Sequence, residues 1–152
     1  MTHISVRAVI DAPPPAVWDH LADIGRHPEW MVDAIAIRFT GDQRRGVGTS
    51  FDCLTRVGPF RTHDRMVVTE WRERRSLGVR HTGVVTGEGR FRLEHMRQPG
   101  GPDRAVVVWE ERLRFPWYLG GPLAAGLVSR LVLRPLWRAN LRRLASRVRA
   151  EG

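Results

Sequence analysis

The C-terminal third of the chain, residues 121 to about 149, restricts the possible folds more than any other stretch. Its apolar residues recur every three or four positions in two runs, which is the spacing of one face of an α-helix. They are Leu123, Leu127 and Leu131, then Trp137, Leu141, Leu144 and Val148. The opposite face carries Arg130, Arg134, Arg138, Arg142 and Arg149. A long amphipathic helix needs an apolar surface to lie on, so the sequence predicts a helix packed against a sheet.

The residues before this helix mostly alternate with the two-residue period of β-strands. Ile4, Val6, Ala8 and Ile10 form a first half-buried strand, which the prolines at 13–15 end. Two short helical segments follow, around residues 17–21 and 27–30. Six further strands are predicted, around residues 35–39, 51–57, 65–71, 77–81, 91–95 and 107–115. In the 65–71 strand, either Met66 with Val68 or Val67 with Trp71 could face inward.

This order of elements resembles that of the START-like helix-grip superfamily, the polyketide cyclase/dehydrase and lipid-transport group. The opening pattern of that family is A-P, V-W, D and P-x-W, and it is matched here by Ala12-Pro13, Val17-Trp18, Asp23 and Pro28-Glu29-Trp30. The resemblance implies one α+β domain over residues 1–152. Its seven-stranded antiparallel sheet would wrap round the C-terminal helix and leave an apolar cavity between them.

The last helix departs from the plainer members of this family because prolines and glycines interrupt it. Pro135 removes one helical hydrogen bond and clashes with the preceding turn, so a kink or break is expected between about 131 and 135. The half before the kink would then act as a separate lid.

Composition excludes several classes of chemistry. All 25 basic residues are arginine, which rules out Schiff-base catalysis, pyridoxal phosphate attachment and Walker-type phosphate loops, since each needs a lysine. The single cysteine, Cys53, allows no internal disulfide and no multi-cysteine metal site, and it is expected to be a core residue. We therefore predict no cofactor and no metal.

The N-terminus has no signal-peptide pattern, and no uncharged run reaches the ~20 residues that span a bilayer, which predicts a cytoplasmic protein.

Polar residues on the inward strand phases are the candidates for chemistry: Thr55, His81, His95 and Glu111. A buried carboxylate needs a partner or water, unless it lies at a strand end and reaches solvent. A hairpin turn around Val85 would place His81 opposite Gly89, and the next connection would place Gly89 opposite Glu111 and Phe91 opposite Trp109. The hypothesis is that His81 and Glu111 converge across the glycine and orient a ligand carbonyl or hydroxyl. They are the only catalytic candidates, and a slip of one residue would separate them.

The resemblance implies a ligand that is small and apolar or aromatic, polyketide-like or lipid-like. The residues expected to line its site are Phe51, Thr55, Val79, His81, Phe91, Leu93, Trp109, Glu111, Leu127, Leu131, Trp137 and Leu141. Two alternatives stay open, a cyclase or dehydratase that uses the histidine and glutamate, and a peripheral membrane carrier of lipid or quinone.

The arginine face of the last helix, formed by Arg130, Arg134, Arg138 and Arg142, is either a solvated surface or weakly attracted to an anionic membrane. Nucleic acid is not expected as a partner, because no aromatic residues are interleaved with the arginines. The oligomeric state does not follow from the sequence.

Overall fold

The computed structural model describes residues 1–151 and places seven strands in one antiparallel sheet. The strands are β1 (Thr2–Ile10), β2 (Ala34–Phe39), β3 (Ser50–Val57), β4 (Phe60–Arg72), β5 (Ser76–Thr82), β6 (Thr86–Met96) and β7 (Arg104–Arg114). Their spatial order is β1-β7-β6-β5-β4-β3-β2, so every pair except β1 with β7 is joined directly along the chain.

Two groups of helices accompany the sheet. The helix α1 (Pro14–Ala22) and a 3-10 helix (Ile24–Glu29) connect β1 to β2, and Pro14 occupies the first turn of α1, where its missing N–H costs no hydrogen bond. After β7 come a second 3-10 helix (Trp117–Leu119), α2 (Gly121–Val128), a π-helical turn (Ser129–Leu133) and α3 (Arg134–Glu151). The predicted order of elements and the α+β class are confirmed.

Helix α3 packs its apolar face against the sheet as the periodicity predicts. Trp137, Leu141, Leu144 and Val148 are buried, and Arg138, Arg142 and Arg149 on the other face are exposed. Burial of such a stripe is the main source of stability for a helix of this length. The chief contact of α3 within the sheet is β1.

The prediction that Leu127 and Leu131 continue this buried face is wrong. Leu127 is 60% exposed and Leu131 is 72% exposed, and Leu123 before them is exposed as well. The helix presents its small residues to the protein instead, with Ala124, Ala125 and Gly126 half-buried and Ser129 buried. The π-helical turn changes the angular phase between the two halves, so a single apolar stripe cannot run through both.

The predicted interruption near Pro135 takes the form of this π-helical turn. Residues 129–133 widen to the π geometry immediately before Arg134 and Pro135. A wider turn leaves room for the proline ring, whose clash with the preceding carbonyl would otherwise break the helix. The helix therefore continues beyond the proline, with its α-helical hydrogen bonding interrupted over one turn.

Strand pairing agrees with the predicted register in one hairpin and differs in the other. Gly89 lies opposite Glu111 and Phe91 opposite Trp109, as predicted. His81 lies opposite Gly87 rather than Gly89, because the β5–β6 turn is centred on Val84 and not on Val85. A shift of the turn centre by one residue moves the partner by two, so His81 stays on the inward face.

Both alternatives for the 65–71 strand are partly right. Val68 is buried and Met66 packs against the core, and a β-bulge between Val68 and Glu70 then changes the phase. Trp71 beyond the bulge also packs against the core, where its ring lies edge-on to Trp18 at a centroid distance of 5.4 Å. An extra residue in one strand is what allows both sets to face inward.

A buried polar cluster ties the loop before β2 to α3. The Asp33 carboxylate accepts hydrogen bonds from Trp137 Nε1 at 3.1 Å and from Asn140 Nδ2 at 2.6 Å. Asn140 Oδ1 in turn accepts the backbone N–H of Val32 at 3.0 Å. Because these groups are buried, losing one partner would leave another without a hydrogen bond, and the cluster therefore fixes the position of α3.

Candidate functional site

The side chains of His81 and Glu111 meet on the inward face of the sheet. His81 Nε2 lies 3.0 Å from Glu111 Oε2, and Trp109 Nε1 donates to Glu111 Oε1 at 3.0 Å. A carboxylate can only accept hydrogen bonds, so His81 Nε2 carries the proton of this bond. The side chains of His81 and Glu111 are 10% and 9% exposed. The strand-end alternative, in which Glu111 reaches solvent, does not apply.

A glycine on the strand between them makes this approach possible. The backbone of Gly89 lies opposite Glu111, and a Cβ atom built on Gly89 would overlap both carboxylate oxygens. Any larger residue at position 89 would therefore displace the carboxylate. The glycine leaves the space that the dyad, His81 with Glu111, occupies.

The surroundings of His81 favour its charged form. Burial by itself lowers the pKa of His81, but the hydrogen bond and the charge of Glu111, with a further contribution from Asp64, leave it above its ordinary value of 6.5. The second ring nitrogen, Nδ1, is buried and has no hydrogen-bond partner within residues 1–151. A buried nitrogen of this kind can bond to a ligand atom or a water.

A second polar pair lies on β3 and β4, beside the dyad. Thr55 Oγ1 donates to Asp64 Oδ2 at 2.6 Å, and Asp64 Oδ1 is buried without a partner among the described residues. Thr55 was predicted from the sequence, whereas Asp64 was missed. The sequence contains a signal for Asp64, because it lies two residues before Met66 and four before Val68. Residues at this spacing in a strand share one face, here the inward one. Thr55, Asp64, His81 and Glu111 thus form a polar row across an otherwise apolar surface.

Three of the predicted site aromatics, Phe91, Trp109 and Trp137, are brought together in one cluster, whereas Phe51 lies apart from it beside Phe39. The rings of Trp109 and Trp137 stack at 4.7 Å, and Phe91 lies 4.9 Å from Trp109. Trp30 lies edge-on to Phe91 and Trp109, and the buried His27 adjoins Trp30. Because each ring contacts another ring, these side chains join the sheet to α3 as one packed cluster. Its predicted contact with a ligand stays a prediction.

The other predicted residues divide between the core and the surface. Phe51, Leu93 and Leu141 are buried and Val79 packs against them, whereas Leu127 and Leu131 are exposed. His95 keeps the predicted inward phase of Phe91 and Leu93, but it is exposed and pairs with Asp103 at 2.8 Å, because β6 there approaches its end. Cys53 is buried, and burial raises the pKa of its thiol to about 11, so it is a core residue as predicted.

Two surface depressions lie away from this row. One, of about 190 Å³, is lined by charged residues of α1, the first 3-10 helix and the end of α3. The other, of about 570 Å³, is lined by Asp52, His63, Arg65, Thr82, Gly83 and Val84 on β3, β4 and the β5–β6 turn. Neither includes His81 or Glu111. No group of three or more histidine, cysteine, aspartate or glutamate side chains within residues 1–151 is arranged to hold a metal ion.

Comparison with known proteins identifies relatives of both the sequence and the fold. The family profile described as polyketide cyclase/dehydrase and lipid transport matches residues 1–151. No protein of curated function matches the sequence. Across the same residues 1–151, no helix combines the length and the hydropathy of a membrane span.

Several solved structures share the fold at low sequence identity. The Zhui aromatase/cyclase from Streptomyces sp. R1128 superposes with a TM-score of 0.73 at 16% identity, covering 97% of this chain and 93% of that one. A START superfamily protein from Mycobacterium smegmatis gives 0.72 at 15% identity, covering 99% of each chain. TTHA0849 from Thermus thermophilus gives 0.72 at 17% identity, again covering 99% of each. These similarities concern the fold.

Proposed function

Because the chain belongs to the polyketide cyclase/dehydrase and lipid transport family, we propose that it binds a small apolar or aromatic molecule on the inward face of its sheet. The ligand is polyketide-like or lipid-like and carries a carbonyl or hydroxyl group. The observation that supports this proposal is the buried dyad of His81 and Glu111. The Glu111 carboxylate occupies the space that a side chain at Gly89 would fill. Stability alone does not require such a pair, since apolar residues of similar volume are often equally stable or more so.

The chemistry of the dyad determines which ligand group it recognises. Glu111 is already bonded to His81 and Trp109, so His81 Nδ1 is the atom of the dyad that has no partner among the described residues. In the imidazolium form Nδ1–H donates to a carbonyl or hydroxyl oxygen. Asp64 Oδ1, likewise without a partner in residues 1–151, can accept the hydrogen of a hydroxyl group. A ligand hydroxyl would therefore be preferred to a hydrogen atom at the same position.

A cyclase or dehydratase is the second candidate, and the raised pKa of His81 favours it. An imidazolium beside a carboxylate can give its Nδ1 proton to a leaving hydroxyl, which departs as water while the imidazole becomes neutral. The neutral ring can then accept the proton that the neighbouring carbon loses, which restores the imidazolium and leaves a carbon–carbon double bond. Binding and this proton transfer use the same two residues.

Two probes test the binding proposal directly. We expect wild-type protein to bind 2-naphthol about tenfold more tightly than naphthalene, because one hydrogen bond to a charged group contributes about 1.5 kcal/mol. His81→Phe and Glu111→Gln should each remove most of this preference, measured by titration of the probe fluorescence. Native mass spectrometry of the purified protein would identify a ligand that co-purifies.

Exposed residues of the same types supply matched controls. His95→Phe and Glu94→Gln change an exposed histidine and an exposed glutamate near the far end of β6, and the preference should persist in both. Equal affinity for the two probes in the wild type, or a preference that survives both dyad variants, would refute the proposal.

A further inference from the structure

Large apolar side chains are exposed along one continuous segment after β7. We call this set the apolar strip; it consists of Trp117, Tyr118, Leu119, Leu123, Leu127, Val128, Leu131 and Val132. Trp117 and Leu123 are 85% and 86% exposed. Single exposed apolar residues are ordinary, but a contiguous set of this size on one element marks a surface that meets a partner.

The helix orientation shows that the exposure is a property of the fold rather than of one side chain. Helix α2 half-buries its alanines and its glycine and leaves Leu123 and Leu127 outside. Rotation of the helix about its axis would bury the leucines, which contribute about 1.5–3 kcal/mol each when fully buried. The side of α2 that faces the protein therefore accommodates small side chains. Leu123 and Leu127 can be buried only by an apolar surface outside this fold.

The strip lies at the end of the sheet where β7 ends. Arg114, the last residue of β7, pairs with Thr86, so the segment begins beside the β5–β6 turn. Val84 in that turn and Phe60 after the β3–β4 turn, at the same end of the sheet, are also exposed. His81 is one residue from the end of β5, at this same end. A partner on the strip would therefore lie at the end of the sheet that holds His81.

The charge around the strip identifies the kind of partner. From Leu113 onward the chain has eight arginines and one acid, a net charge of +7. Of these arginines, Arg147 alone forms an ion pair within residues 1–151. Arg130 lies exposed among the strip residues, and Arg134 follows them. Basic side chains without internal partners point to an anionic surface.

A second copy of this chain does not fit this pattern. Two strips placed face to face would bring together two segments of net charge +7, and like charges across an interface are unfavourable. An anionic bilayer supplies both an apolar phase for the leucines and phosphates for the guanidinium groups. Tryptophan and tyrosine at the start of the strip are the residues that favour the boundary between water and lipid.

We propose that the apolar strip inserts into the surface of an anionic bilayer, with Arg130 and Arg134 bonded to lipid phosphates. The protein then docks with the β7 end of its sheet towards the membrane, and a lipid-soluble ligand can pass between the two without crossing bulk water. This docking uses no residue of the dyad, so it succeeds or fails independently of the proposed ligand site.

The test uses the full chain and vesicles of equimolar phosphatidylglycerol and phosphatidylcholine. We expect co-sedimentation with these vesicles and none with pure phosphatidylcholine, and we expect it to weaken as salt rises from about 0.1 M to about 1 M. The triple variant Leu123→Gln, Leu127→Gln, Leu131→Gln should lower the affinity about tenfold or more. Val47→Gln, which changes an exposed apolar residue at the opposite end of the sheet, should leave it unchanged.

Tryptophan quenching by brominated lipid locates the inserted segment. Trp117 is exposed, Trp71 is half-buried at the opposite end of the sheet, and Trp18, Trp30, Trp109 and Trp137 are buried, so the quenching should come mainly from Trp117 and disappear in Trp117→Phe. Absence of vesicle binding would overturn the proposal. Binding that the triple variant retains would also overturn it, since the arginines alone would then suffice. A concentration-dependent dimer that the triple variant abolishes, without vesicle binding, would assign the strip to self-association.

Discussion

Replacing Gly89 by alanine tests the arrangement of the dyad most directly. The new methyl group would overlap both oxygens of Glu111, so the carboxylate must move away from His81 and Trp109. Its two hydrogen bonds, each 3.0 Å long, cannot both survive that movement. The side chain is buried, and no water replaces the lost donors unless the sheet opens.

The expected cost follows from these two bonds. A hydrogen bond to a charged group contributes about 1.5–3 kcal/mol, so losing both costs about 3–6 kcal/mol. Alanine in a strand is favoured over glycine by about 0.5–1 kcal/mol, which offsets part of this loss. We therefore expect Gly89→Ala to lower the free energy of unfolding by about 2–5 kcal/mol, measured by urea denaturation.

The same change should move the pKa of His81. Without the bond and charge of Glu111, burial dominates, and the pKa of His81 should fall from above 6.5 towards or below that value. Titration of the imidazole resonances by NMR measures this shift. Gly126→Ala serves as the control, because a Cβ there would meet nothing within 4 Å. A Gly89→Ala protein with wild-type stability and an unchanged His81 pKa would refute the described geometry.

Three further predictions concern the core. Trp137→Ala should lower the free energy of unfolding by about 3–5 kcal/mol, because it removes a stacked ring and a donor to Asp33, and a loss below about 1 kcal/mol in urea denaturation would contradict this packing. Burial lowers the pKa of His27 from 6.5 to about 4. Between these two pH values the unfolded chain binds more protons than the folded one, so the free energy of unfolding should fall as the pH drops from 6.5 to about 4. The loss should approach about 3 kcal/mol, and a urea-midpoint profile that His27→Gln leaves unchanged would contradict it. Cys53, whose thiol pKa is raised to about 11, should resist alkylation by iodoacetamide at pH 8 until the protein is denatured; rapid labelling of the native protein would be inconsistent with its burial.

Periodicity was sufficient to predict the elements, because the inward and outward faces of strands differ strongly in hydropathy. It could not predict the register of the β5–β6 hairpin, since the run of Gly83, Val84 and Val85 allows the turn to be centred on either valine. The bulge at Val68 was likewise hidden, and it appeared only as two conflicting sets of inward residues. Such local irregularities depend on which neighbour a strand meets.

The convergence of the dyad was predicted because both residues share the inward phase of their strands, even though His81 pairs two residues away from the predicted position; the orientation of α2 was not predicted. Leucines at a spacing of four indicate that one face is apolar, but the spacing does not say whether the protein itself covers that face. The small residues on the other side of α2 were the missed signal, because a close approach of helix to sheet requires them. Asp64 was missed for a simpler reason. The apolar residues that indicate this strand begin at Met66, so the polar residue two positions before them lay outside the predicted element.

The pairing of β1 with β7 has a consequence for how the chain folds during synthesis. The other five pairs join strands that follow one another, so β2 to β7 can assemble as a series of local hairpins. β1 finds its only partner in the sheet once β7 has emerged, and Thr2 must then pair with Leu113. Helix α3, made later still, packs chiefly on β1. The strand made first among these elements and the helix made last therefore stabilise each other, and a nascent chain stopped before α3 would keep the apolar side of β1 uncovered, where chaperones recognise it.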